Sequence, residues 1–165
     1  MHKSFLALCA LAVTVQGFGA AQATVHVEPT NLDGPRQLQE QTATGVVRDY
    51  MQAWQSLSAA LEQNSADLLN ADFVGTAKDK LAETIHAEAA LDIRTRYQDR
   101  AHDVQIVFYS PEGLSIELID TVDYDVQVFD HDKQVTTQQV RQRYIVVMTP
   151  AEVRWRVRVM QTAGE

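Results

Sequence analysis

The position in this sequence that most invites chemistry is Asp120. Around it, Leu118-Ile119-Asp120-Thr121-Val122 alternates, and in a strand successive side chains point to opposite faces. Asp120 therefore shares the apolar face of Leu118 and Val122. If the turn at Asp130-His131-Asp132-Lys133 sets Asp123 opposite Arg141, Asp120 falls opposite Tyr144. A carboxyl among apolar side chains holds its proton more tightly, and a phenol across the strand can bond to it. Asp120 is thus a candidate general base and Tyr144 a candidate hydrogen-bond donor. The competing reading is a β-bulge at Ile119-Asp120 that turns the carboxylate out to water. Ile119 favours that bulge, because it interrupts the outward polar pattern at the same place, and unpaired buried carboxylates are rare.

Two histidines, His86 and His102, offer a base or a ligand pair. Surface or loop positions are the favoured reading of both, since a histidine needs a placed partner to act as a base. Asp130-His131-Asp132 has metal-ligand residue types. It occupies a hairpin tip, where neighbours diverge, and reads as a solvated turn. Arg154, Arg156 and Arg158 alternate with Val153, Trp155, Val157 and Val159, which puts the three arginines on an outer sheet face. Arg141 and Arg143 join them from the neighbouring strand, and Glu117, Asp123 and Asp125 from the next. The expected register sets Asp123 beside Arg141 and Arg143 beside Arg158. A solvated ladder of cross-strand ion pairs, each contributing about 0.2–1 kcal/mol, is the favoured reading. The functional alternative is a binding face made of all five arginines. Gly-rich phosphate loops, H-E-x-x-H and G-x-S-x-G are absent from the sequence, so nucleotide chemistry and serine-nucleophile hydrolysis have no support. No cofactor and no metal are expected.

The elements that must position these residues change character midway. Val46, Tyr50, Trp54, Leu57 and Leu61 recur at steps of three and four, predicting an amphipathic helix from about Thr44. Asn64-Ser65 ends it, and a short second helix carries Leu68, Leu69 and Phe73. Gly75 breaks the chain. Thr76 to Asp79 reads as an imperfect capping box before a third helix with Ala77, Leu81, Ile85 and Ala89 on one face. From Val104 the period becomes two. Four strands, separated by turns at Ser110-Pro111-Glu112-Gly113, at 130–133 and at Thr149-Pro150-Ala151-Glu152, predict an antiparallel meander. Trp155, Val157 and Val159 are expected to face inward on the last strand. Trp54, Tyr50, Trp155 and Tyr144 lie on inward stripes and read as core. The class is α+β: three helices packed on a curved four-stranded sheet.

The first residues read as an address. Met1-His2-Lys3 precedes an apolar run of about a dozen residues, too short to span a bilayer, and Ala21-Gln22-Ala23 matches a leader-cleavage pattern. Residues 1–23 are expected to be a signal peptide, 24–43 a flexible arm, 44–161 the domain and 162–165 a tail. The 165-residue chain carries 22 acidic and 14 basic residues, a net −8. Without the leader it loses Lys3 and its single cysteine, Cys9, leaving 142 residues at −9. Such a protein is exported to a periplasm or the exterior, is held together by its core rather than by disulfides, and does not use thiol chemistry. Its acidity argues against nucleic acid and anionic membranes as partners.

Val46-Val47-Arg48-Asp49-Tyr50-Met51-Gln52-Ala53-Trp54, then Leu68 to Phe73, Phe73-Val74-Gly75 and Tyr109-Ser110-Pro111-Glu112-Gly113-Leu114 carry a resemblance to the NTF2-like superfamily of cone-shaped α+β domains. It spans 44–161 and is closer to the Tim44-like and plastid-division-type binding domains than to the SnoaL and isomerase enzymes. The resemblance implies a conical pocket between helices and sheet. In isomerases of the superfamily, an Asp base and a Tyr donor do the work that Asp120 and Tyr144 would do here. Enzymes, binders and assembly parts share the fold, so it does not dictate chemistry. The expectation is an exported, non-catalytic binding or interaction domain that uses the pocket or the outer sheet face. Its partner would be a protein, a small apolar ligand, or a second copy joined through the outer sheet face. A cofactor-free isomerase-type enzyme and a structural accessory of a cell-envelope assembly are the alternatives.

Overall fold

The computed structural model describes residues 22–30, 32 and 36–164. Apart from residues 22 and 23, the expected leader lies outside the described residues. The order of elements is β1 (Thr24–Val27), α1 (Glu40–Glu62), a 3-10 turn (Ala66–Leu69), α2 (Gly75–Ala90), β2 (Ile93–Tyr109), β3 (Ile116–Asp130), β4 (Lys133–Ala151) and β5 (Arg154–Thr162).

The predicted stripe of α1 is the buried face: Val46, Tyr50, Trp54, Leu57 and Leu61 are each at most 3% exposed. Full burial of such side chains contributes about 1.5–3 kcal/mol apiece. The helix begins four residues before the expected start. Where a second helix was expected there is one 3-10 turn. The described residues therefore form two α-helices, not three. Gly75 is the first residue of α2, and its φ of +56° is a backbone conformation that favours glycine. The expected capping box does not form, since Thr76 Oγ1 donates to the Arg158 carbonyl instead. Past Ala90, Asp92 takes φ 57° and reverses the chain straight into β2.

The sheet has five strands in the order β1-β2-β3-β4-β5. Four form the expected antiparallel meander. The fifth, β1, pairs parallel to β2 from Thr24↔Ala101 to Val27↔Val104. The segment expected as a flexible arm thus supplies an edge strand and the first turn of α1. All four residues of β1 are exposed, so the strand shows no alternation to read. The first strand of the meander starts at Ile93 rather than near Val104.

Register between β3 and β4 is as predicted, with Asp123↔Arg141 and Asp120↔Tyr144. That ladder shifts only between Val128 and Phe129, next to its turn, and further irregularities lie between Asp99 and Ala101, between Ile106 and Phe108, and between Val147 and Met148. Each one flips the faces beyond it. Tyr109 therefore turns inward while Phe108 is 43% exposed. On β5 the flip turns Met160 toward the core and leaves Val159 opposite Val147 on the outer face, against the expected inward Val159. The two sheet edges differ. Residues 72–74 cover β5, where Val157 N donates to Asp72 O (2.8 Å) and Val74 N to Val157 O (2.9 Å). Among the described residues, no strand pairs with the outer edge of β1.

Candidate functional site

Inside the cone, α1 brings Tyr50 and Trp54 against the inner faces of β2, β3 and β4. Asp120 is 0% exposed and lies in regular pairing, not in a bulge, so the turned-out reading fails. Its Oδ2 accepts hydrogen bonds from Tyr50 Oη (2.9 Å) and His102 Nδ1 (2.7 Å). His102 is 2% exposed, not a loop histidine. The irregularity at Asp99/Ala101 shifts the β2 register just before it, and that brings it onto the inner face. Its other nitrogen, Nε2, lies 3.8 Å from Asp99 Oδ2, and its ring meets Trp54 edge-on at 5.2 Å.

Burial alone would push the His102 pKa down. The hydrogen bonds and charges of Asp120 and Asp99 overcome that and raise it from 6.5 to about 9. At neutral pH His102 is therefore an imidazolium clamped between carboxylates, a donor rather than a base. Burial first, then the charge of Asp120, hold the Tyr50 phenol well above its ordinary value of 10. Tyr144 faces Asp120 across the ladder, but its hydroxyl bonds Tyr124 (2.9 Å). The predicted Asp120–Tyr144 hydrogen bond is thus replaced by Tyr50 and His102. Burial, then that tyrosine partner, raise the Tyr144 phenol as well. Tyr97, Tyr124, Tyr144 and His102 surround Trp54 with ring centroids 5.2–6.2 Å away. Trp54 Nε1, Asp99 Oδ1 and Asp120 Oδ1 are buried without a partner among the described residues.

The grooves on the molecule open elsewhere. A roomy one, about 580 Å³, is lined by Gln55, Tyr97, Asp99, Arg100 and Asp125 with Gln22 and Ala23. An apolar one of about 490 Å³ runs between β1 and α1 along Val25, Val27, Ala43, Val47 and Met51. Asp120, His102 and Tyr144 line neither.

The five arginines do not act as one band. Arg141 pairs with Asp123 (3.1 Å) as predicted. Arg154 is drawn to Asp72 (3.0 Å), a carboxylate whose side chain is 3% exposed and which also accepts from Ser56. Arg158 packs on the start of α2. Arg143 lies beside Ala163, whose N–H bonds its carbonyl, so the expected Arg143–Arg158 neighbourhood does not occur. Arg156 stands opposite Thr149 on the outer face. Among them lies an apolar patch that the periodicity of the sequence did not bring together. Ile119 faces Ile145, and Val147 faces Val159, all on the outer side of the sheet. Ile119 is thus one corner of a patch rather than the sign of a bulge. His86 is exposed on α2. His131 is exposed at its hairpin tip, between Asp130 (2.8 Å) and Asp92 (3.3 Å).

No family model and no curated protein matches the chain. Solved structures do. The intermembrane space region of the chloroplast protein ARC6 superposes with a TM-score of 0.65 at 13% identity, over 79% of this chain and 100% of that one. A putative scytalone dehydratase from Novosphingobium aromaticivorans gives 0.53 at 14% identity, over 76% and 89%. A putative dehydratase of the NTF2-like family from Streptomyces avermitilis gives 0.47 at 10% identity, over 71% and 94%. At such identities the likeness concerns backbone alone. The superpositions at 0.65 and 0.53, with the helix-then-meander order, are consistent with the NTF2-like fold that the sequence resemblance implied.

Proposed function

We propose that this chain is an exported, non-catalytic interaction domain that docks through the outer face of its sheet, with a second copy as the occupant. The observation that carries the reading is the outward quartet Ile119, Ile145, Val147 and Val159, half-buried neighbours that form one apolar patch on the side away from the helices. Contiguous apolar surface framed by polar groups is what an interface needs. Its frame carries both signs, Arg141, Arg143 and Arg156 against Glu117, Asp123 and Asp103. A face with both signs complements itself under a two-fold axis, as an isologous dimer requires. Asp120 and His102, by contrast, are buried and line neither groove described above.

The test is Ile145→Glu, alone and with Arg143→Glu, in sedimentation equilibrium. Both side chains are on the outer face, so at concentrations low enough for the parent to be monomeric the variants should unfold at nearly the same urea midpoint, and at higher ones the parent gains from association. The expected result is a dimer for the parent chain and monomers for both variants. Variants that associate like the parent would overturn the reading.

A second reading has one specific observation in its favour. Trp54 Nε1, Asp99 Oδ1 and Asp120 Oδ1, buried and unpartnered around His102, offer a donor and two acceptors to a small polar molecule. In an enzyme of this kind, His102 would donate its proton and Asp120 would hold the imidazolium, while Tyr144 would have no direct part. A small molecule retained in native mass spectrometry of the parent, and absent from Trp54→Phe, would favour this reading over the first.

A further inference from the structure

The open edge of the sheet and the apolar groove beside it belong together. Glu28 N donates to Val104 O (2.9 Å), and in a parallel ladder alternate residues of a strand face its partner. Thr24, His26 and Glu28 therefore bond toward β2. Val25 and Val27 turn their N–H and C=O groups to the open edge, and they are 40% and 41% exposed. Edge strands are commonly blunted by lysine, by proline or by a bulge. Thr24–Val27 has none of these.

The side chains of the same two valines form one wall of the groove of about 490 Å³, and α1 forms the other. On that helix wall Ala43, Val47 and Met51 stand four residues apart, about 6 Å of helix rise. Side chains on one face of an extended chain repeat at about 6.6 Å. A strand laid along β1 would thus set every second side chain against one apolar residue of α1. The charges on this wall cancel, Glu40 against Arg48. The remaining side chains of such a strand would lie on the outer face of the sheet, beside His26, Glu28 and Asp103. One donor atom from each of these lies within 4.8 Å of the others. Two carboxylates against one imidazole make that rim acidic.

We propose that the β1 edge takes an extended segment of a partner protein by strand addition, and that the segment alternates apolar and basic residues. Main-chain bonds to Val25 and Val27 supply affinity. Apolar side chains in the groove and basic ones against Glu28 and Asp103 supply specificity. A second copy would match this edge less well, since its own edge strand is four residues long and carries no lysine or arginine. The site uses none of Ile145, Val147 and Val159, so it stands whether or not the outer face pairs two copies.

The probe is a capped peptide of alternating lysine and valine, labelled for fluorescence anisotropy. It is titrated into the parent and into Ile145→Glu, so that association through the outer face does not enter the reading. The expected result is saturable binding of one peptide per chain, weakened by salt, with slower amide exchange at Val25 and Val27. A peptide of the same composition with its lysines and valines in separate blocks should bind at least about 10-fold more weakly, and so should alternating glutamate and valine. Val27→Pro removes one edge N–H and leaves the ladder to β2 intact, so it should weaken binding about 10-fold. Val47→Lys, on the helix wall, should weaken it by at least as much. Equal binding of the block peptide, or unchanged exchange at Val25 and Val27 in the saturated complex, would overturn the proposal. So would protection of those two amides that grows with protein concentration in the absence of peptide, because a second copy would then hold the edge.

Discussion

Asp120 accepts two short hydrogen bonds on one oxygen while the other has no partner among the described residues, and one of its donors is a charged ring. Removing one member of a buried pair leaves the other charge stranded, at about 3–5 kcal/mol. Asp120→Asn should cost about that much in urea unfolding at pH 6. The same pair gives stability a pH dependence. His102 titrates at about 9 in the fold, against an ordinary value of 6.5 once the chain unfolds. Between those values the native state holds a proton that the unfolded chain has released, so stability falls as pH rises. The contribution is full below about pH 6.5 and is lost as pH climbs through 9. In Asp120→Asn this slope should shrink. A parent chain equally stable at pH 6 and pH 9 would contradict the ion-pair account.

Among the elements, α1 and β5 are tied by a buried carboxylate. Asp49, 7% exposed, accepts from the Trp155 backbone N–H at 2.8 Å and from Arg48. Asp49→Ala should destabilise by about 1–3 kcal/mol, since it strands that amide. Arg48→Ala, whose side chain is 69% exposed, should cost under about 1 kcal/mol. Equal effects of the two would refute the distinction. The stripe of α1 was readable because its helical period coincides with its buried face. β1 was not, because a strand exposed along its whole length has no alternation. β2 was only half readable, since its irregularities at Asp99/Ala101 and Ile106/Phe108 change parity without a glycine or proline to mark them. His102 was misplaced for that reason. The cross-strand register of Asp120 was legible, but its burial ran against the favoured bulge, because Ile119 is apolar for the sake of a patch on the outer face. Its partner Tyr50 was not legible, since it comes from a helix 70 residues away, a distance at which pattern carries no information.

At the scale of the molecule, chemistry-bearing residues divide between a buried interior network and the outer face of the sheet. The interior network fixes how the sheet packs on α1. The outer face presents apolar side chains within a frame of mixed charge, on a chain that is otherwise acidic. A monomer would leave that patch in water, whereas a two-fold dimer would cover it. Native mass spectrometry of the untagged chain over a range of concentrations tests this most directly. The account predicts a dimer that dissociates on dilution and is abolished by Ile145→Glu. A monomer at every concentration that retains a small molecule bound against Trp54 would contradict it.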